Sequence, residues 1–150
     1  MRETLTQTAR AVLDAAQQEA RNLNQEYVGA EHILLALLAD SHTPVGRILR
    51  RAHLDLDAAR SMVRQRLAYA DEAPGITGAL PMSPLSKKLF NNAVVLARSL
   101  RENAVSSRFL LLAILQEPGA AGFAKVLEAQ GVDPEALRRS LSEKPAEPEP

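Results

Sequence analysis

Apolar residues recur along this chain with a helical period, and the same pattern appears twice. Ala9, Val12, Leu13, Ala16, Ala20 and Leu23 fall at the i, i+3, i+4 and i+7 spacing of a one-sided stripe. Thr6 just before them is a capping residue type, so the pattern predicts a helix from Thr6 to about Asn22. A polar connection follows as far as Gly29. The next stretch, about Ala30 to Asp40, is apolar on nearly every face and predicts a buried central helix. Ser41-His42-Thr43-Pro44 interrupts it, and Pro44 suits the first turn of a short third helix to about Ala52. Asp55 can cap a fourth helix to about Ala70, turning Ala59, Met62, Val63 and Leu67 inward.

Residues 71–81 carry Pro and Gly without an apolar period and read as a linker. Ser83-Pro84 then opens a helix with Ser as cap and Pro at the first helical position. Its stripe is Leu85, Leu89, Ala93, Leu96, Ala97 and Leu100. Ser107 is expected to cap a second all-round apolar helix ending before Pro118-Gly119. A short helix from about Ala120 stops at Gly131, and Asp133-Pro134-Glu135 starts the last helix, to about Ser142. Residues 143–150, acidic and proline-rich from Lys144 on, are expected to be a disordered tail.

The two halves align with an offset of 77 residues and no gap through the first two helices. Thr6 falls on Ser83, Leu13 on Phe90, Ala16 on Ala93, Val28 on Val105, and Leu34-Leu35-Ala36 on Leu111-Leu112-Ala113. One inserted residue in the third helix moves the offset to 78, and Asp55 then meets Asp133. The expectation is an all-α domain of two pseudo-symmetric four-helix repeats, about residues 5–70 and 82–142, each offering its apolar helix to a shared core.

Composition narrows what such a domain can do. Lys+Arg and Asp+Glu are 18 each, so no excess positive charge favours nucleic acid. Cysteine is absent, which removes disulfides, thiolate catalysis and thiolate metal sites. The N-terminus lacks a signal-peptide core, and the apolar run from Ile33 to Ala39 is too short to span a bilayer. A soluble, cytoplasmic protein without a membrane partner is expected.

Three segments carry a family resemblance: Thr6-Gln7-Thr8-Ala9-Arg10-Ala11-Val12-Leu13, Gln17-Gln18-Glu19-Ala20-Arg21, and Tyr27-Val28-Gly29-Ala30-Glu31-His32-Ile33-Leu34-Leu35-Ala36-Leu37-Leu38. The chain resembles the N-terminal Clp repeat domain of ClpC type, from about Leu5 to Leu141. The resemblance implies a mobile module of a hexameric ATP-driven unfoldase, binding adaptors or substrates without catalysis or cofactor. No Gly-x4-Gly-Lys-Ser/Thr phosphate loop is present in the sequence. A stand-alone Clp-repeat protein and a piece of a longer chain both fit.

The same resemblance points to Glu31, whose counterpart in ClpC-type domains receives the guanidinium of a phosphorylated arginine. A carboxylate suits that group through paired charge-assisted hydrogen bonds. The helix starts at Thr6 and Ser83 suit a phosphate. Glu31 also fits a plain first-turn acid favoured by the helix dipole. The chain departs from the family pattern in several places. Arg108 stands at the second-repeat equivalent of Glu31, and Thr8 and Leu85 stand where the family often has Arg. Lys87 or Lys88, and Arg10, are the substitutes on offer. Ala30 replaces a capping Thr, so Gly29 is expected to take the cap.

His32 has no second His at i+4, so no zinc-protease motif exists. Phe109 in its place in the second copy marks it as a packed ring. A hydrolase using Glu31 and His32 would lack a nucleophile and a metal partner. Leu5 and Met82, one residue before each opening cap, fit hydrophobic staples, and the resemblance implies the alternative of contacts for a small-molecule or peptide ligand. Arg47, Arg50, Arg51, Arg60, Arg64 and Arg66 make the third and fourth helices basic, as a solvated face or a dock for an acidic partner. The site expected for ligand or adaptor therefore comprises Thr6, Glu31, Ser83, Lys87, Leu5 and Met82. Its partners would be Clp adaptors or substrates, or a Clp ATPase.

Overall fold

The helices start where side-chain oxygens can satisfy their first amides. In the computed structural model, which describes residues 4–67, 75–143 and 149–150, the Thr6 hydroxyl accepts from the Ala9 N–H at 3.0 Å and opens α1, Gln7–Asn22. Thr43 and Asp55 do the same for α3, Pro44–Arg51, and α4, Leu56–Arg66. Ser83 and Asp133 open α5, Pro84–Ser99, and α8, Pro134–Ser142. The two apolar helices, α2 at Ala30–Ala39 and α6 at Ser107–Gln116, have no side-chain cap. A 3-10 turn at Pro118–Ala120 leads into α7, Ala121–Ala129.

The helices repeat as the alignment predicts: α1 and α2 recur as α5 and α6 with the 77-residue offset. Eight of ten residues are buried in α2, and eight of ten in α6, which makes these two helices the centre of one continuous core. Within the first half, α2 packs on α1, α3 and α4. It also packs on α5, α6 and α7 of the second half. Gly46 lets α3 tuck under the end of α2, since a Cβ there would stand 1.9 Å from the Asp40 carbonyl oxygen.

The ends of four helices repeat as well. At α1, α3, α5 and α7 the chain turns through a left-handed residue: Asn24 (φ 53°), His53 (φ 64°), Arg101 (φ 57°) and Gly131 (φ 77°). Each end carries the paired 6→1 and 5→2 bonds of a Schellman motif, for example Leu54 N–H to Leu49 O and His53 N–H to Arg50 O. The sequence signalled only Gly131, because Asn, His and Arg mark this region less distinctly than glycine does, although Asn enters it more readily than most.

Five expectations need correction or completion. Leu100, placed on the α5 stripe, is the C-cap of that helix and is half exposed, whereas its counterpart Leu23 is buried. Ser107 does not cap α6; it is the first residue of that helix, and Ser106 precedes it without a side-chain cap. The fourth helix ends at Arg66, short of Ala70, which lies outside the described residues. Of the expected linker, residues 71–74 also lie outside them, and its later part is held: Gln17 and the Leu80 backbone exchange two hydrogen bonds, at 2.8 and 2.7 Å, and Leu80 is buried. Of the expected tail, residues 144–148 lie outside the described residues, and Glu149 and Pro150 sit at the starts of α1 and α6.

Candidate functional site

The starts of the four long apolar and amphipathic helices meet in pairs, and the pairs cross between halves. Thr6 N–H donates to Val105 O at 3.1 Å and Val105 N–H to Thr4 O at 2.8 Å, joining the start of α1 to the start of α6. By the internal symmetry, Ser83 N–H donates to Val28 O and Val28 N–H to Pro81 O, both at 2.9 Å, joining α5 to α2. The bridges are Leu5 with Val105 and Val28 with Met82. Leu5 and Met82 are partly buried against the core at these bridges, one in each joint.

This crossing sorts the expected site residues into two groups. Glu31 lies in the α2–α5 joint with Met82 and Ser83, while Thr6 and Leu5 lie in the α1–α6 joint. Lys87, one turn into α5, is exposed, and Lys88 is drawn to Glu117 at 3.2 Å.

In the α2–α5 joint, Glu31 is half-buried in the first turn of α2. Its Oε2 stands 3.2 Å from where a Cβ on Gly29 would be, so the carboxylate folds back over the cap position that glycine leaves open. Next to it the Gly29 N–H donates to His32 Nδ1 at 2.8 Å. His32 is buried, its Nε2 has no partner, and burial holds its pKa down at about 4, against a small upward pull from Glu19. The ring is therefore neutral near pH 7 and closes the start of α2 in place of a hydroxyl cap. Across the joint, Ser86 Oγ donates to Val28 O at 2.9 Å, and the Ser83 and Ser86 hydroxyls bond each other.

In the α1–α6 joint the acid is missing from its helix. Arg108, the counterpart of Glu31, is buried and points to the end of α8, donating to Leu141 O and Glu143 O at 3.2 Å each. It pairs with Glu102 at 3.5 Å and lies 4.7 Å from the centre of the Phe109 ring. Burial lowers its pKa, Glu102 opposes that, and it stays charged as an arginine does. The carboxylate in this joint comes from Glu149, a residue that sequence reasoning assigned to the tail. The one legible sign was the hydroxyl of Ser107, retained where the first copy has Ala30.

The basic surface of α3 and α4 is partly used. Arg60 bonds the buried Glu19 at 2.7 Å, which raises the Arg60 pKa and ties α4 to α1, and Arg47 donates to His42 O at 2.6 Å. Among the described residues no group of three His, Asp or Glu is placed to hold a metal, and no helix is long and apolar enough to cross a membrane.

The sequence of residues 4–123 matches the family described as Clp repeat (R) N-terminal domain. The chain belongs to that family. A probable ATP-dependent Clp protease ATP-binding subunit of Chlamydia pneumoniae is 34% identical over 146 residues, covering 94% of this chain and 16% of the relative. The chloroplastic chaperone protein ClpC1 of Arabidopsis thaliana is 33% identical over 141 residues, covering 94% and 15%. The chain thus spans about one-sixth of the length of the curated relatives it matches. Among solved structures, the N-terminal domain of ClpD from Arabidopsis thaliana superposes with a TM-score of 0.74 at 23% identity, covering 91% of each chain. A ClpV N-domain in complex with a VipB peptide superposes with a TM-score of 0.69 at 22% identity, covering 93% of this chain and 85% of that one. These structural neighbours share the Clp N-domain fold of two helical repeats.

Proposed function

We propose that this Clp repeat domain is a non-catalytic protein-binding module of the cytoplasm, recognising adaptors or substrates of a Clp-type ATP-dependent unfoldase. The observation that carries the reading is the α2–α5 joint. There a half-buried carboxylate, a partly buried Met82 and two helix starts meet at the surface, beside the exposed Lys87. Such a patch offers a peptide an apolar contact, a paired acceptor and first-turn amides together. Family membership supports it, and so does the fold shared with a ClpV N-domain that was solved with a peptide bound. The test is calorimetric titration of the chain with Clp adaptor and substrate proteins, repeated with Glu31→Ala and with Lys87→Ala. Each variant is expected to weaken binding by about tenfold. Unchanged affinity in both would remove the α2–α5 joint from the reading.

A second reading is favoured by Glu31 itself: a receptor for phosphorylated arginine on marked proteins. The half-buried Glu31 carboxylate, near the start of α5, is an acceptor of the kind a guanidinium needs. That start offers one donor fewer than α1, since Pro84 lacks an N–H where α1 begins with Gln7. Titration with free phosphoarginine decides it, and absence of binding at millimolar ligand would end it.

A further inference from the structure

Glu149 occupies the α1–α6 joint as a ligand would. Its Oε2 accepts from the Thr6 hydroxyl at 2.5 Å and from the Ser107 N–H at 2.8 Å, and its Oε1 accepts from the Ser107 hydroxyl. Pro150 O accepts from the Thr8 N–H at 3.1 Å. The two amides involved belong to the first turns of α6 and α1, where no carbonyl of the same helix can serve them. With Glu149 in place Ser107 is fully buried, and that carboxylate is the acceptor for both its amide and its hydroxyl. Both helices turn the positive ends of their dipoles toward the same carboxylate.

From this geometry we propose that the α1–α6 joint is a carboxylate-binding site, built for an extended Glu-Pro segment and filled by the chain's own Glu149-Pro150. The site is made of neutral donors, two hydroxyls and two backbone amides, so it selects an acceptor-only group by shape and field. The α2–α5 joint differs in the way the proposal requires. Ala30 stands where Ser107 stands, and Glu31 already supplies a carboxylate from its own helix. The path of the chain brings the ligand close. Arg108 holds the Glu143 carbonyl at 3.2 Å, so the last helix ends next to the start of α6. Six residue steps from Glu143 to Glu149 reach up to about 20 Å when extended. A tether of that length keeps the local concentration of the carboxylate high, and an acidic segment from another protein has to displace it to enter.

The test is amide hydrogen exchange by NMR on the full chain, comparing wild type with Glu149→Ala and Glu149→Gln. The Ser107 and Thr8 amides are expected to exchange about tenfold faster or more in Glu149→Ala, and less so in Glu149→Gln, which keeps an acceptor oxygen but loses the charge. Amides of Leu34, Leu111 and Ser83, in the core and in the other joint, are expected to keep their wild-type rates. Unchanged exchange at Ser107 and Thr8 would overturn the proposal. So would acceleration of all five amides by one common factor, which would make the tail a support of the fold instead of an exchangeable ligand. No partner protein enters this experiment, so its outcome is independent of whether the α2–α5 joint binds adaptors.

Discussion

A single pair of aligned residues, His32 and Phe109, shows how a local change is absorbed. Both rings are buried at the third position of an apolar helix, and only the first is titratable. The folded pKa of about 4 lies below the ordinary 6.5, so between those values the unfolded chain binds a proton that the folded chain refuses. Stability carried by the neutral ring is complete above pH 6.5 and is lost as pH falls through that window to about 4, by on the order of 3 kcal/mol. Denaturant unfolding of wild type and His32→Phe from pH 7.5 to 4 checks this, and the wild type should show the steeper loss. An equal slope would mean that the ring is not held neutral. The sequence located this residue well: replacement by Phe in the second copy gave the packed reading, and the structure adds the Gly29 bond. Glu149 was not legible as a partner, because composition describes a proline-rich tail as a whole and is blind to two first-turn amides, one 42 residues away at Ser107 and one near the other end of the chain at Thr8.

Helices in this domain were easy to find and their ends less so. Caps of Thr, Ser and Asp fixed the starts because the hydroxyl or carboxylate acts on the next few residues only, a local rule that sequence displays. The Schellman ends depend on one residue entering the left-handed region, and Asn24, His53 and Arg101 do so without being glycine. His53 is the informative case, since Gly131 occupies the same place in the second repeat. Its side chain is exposed, so little is lost by removing it. The left-handed conformation costs a non-glycine residue roughly 1–2 kcal/mol, and glycine loses about 0.5–1 kcal/mol more chain entropy on folding. His53→Gly should therefore stabilise the domain by about 0.5–1 kcal/mol, read as a melting temperature raised by a few degrees. A lower melting temperature would show that the imidazole makes a contact worth more than the backbone strain.

At the scale of the molecule, the alignment of two repeats was correct about what recurs and silent about what pairs. An offset in sequence says that Thr6 and Ser83 are equivalent; it does not say that Thr6 will lie beside Val105 and Ser83 beside Val28. That information sits in the shared core, where α2 and α6 are buried by both halves at once. A half alone would expose one face of its apolar helix and leave its bridge unpaired. Residues 1–74 and 75–150 produced as separate chains should each lack a cooperative thermal transition, and mixing them should restore one, measured by calorimetry. A cooperative transition in either half alone would contradict the shared-core account.

The bridge between Leu5 and Val105 also has a meaning in time. A chain is made from its N-terminus, and the partner of residue 5 is added 100 residues later. At about 5–20 residues per second that interval lasts roughly 5–20 s. During it the first helix can coil, and the first four can begin to gather on α2, but the opening turn has no backbone partner to pair with. The hydroxyl of Thr6 meets its carboxylate later still, when Glu149 is made. The helix that leads the sequence is thus the last to be completed.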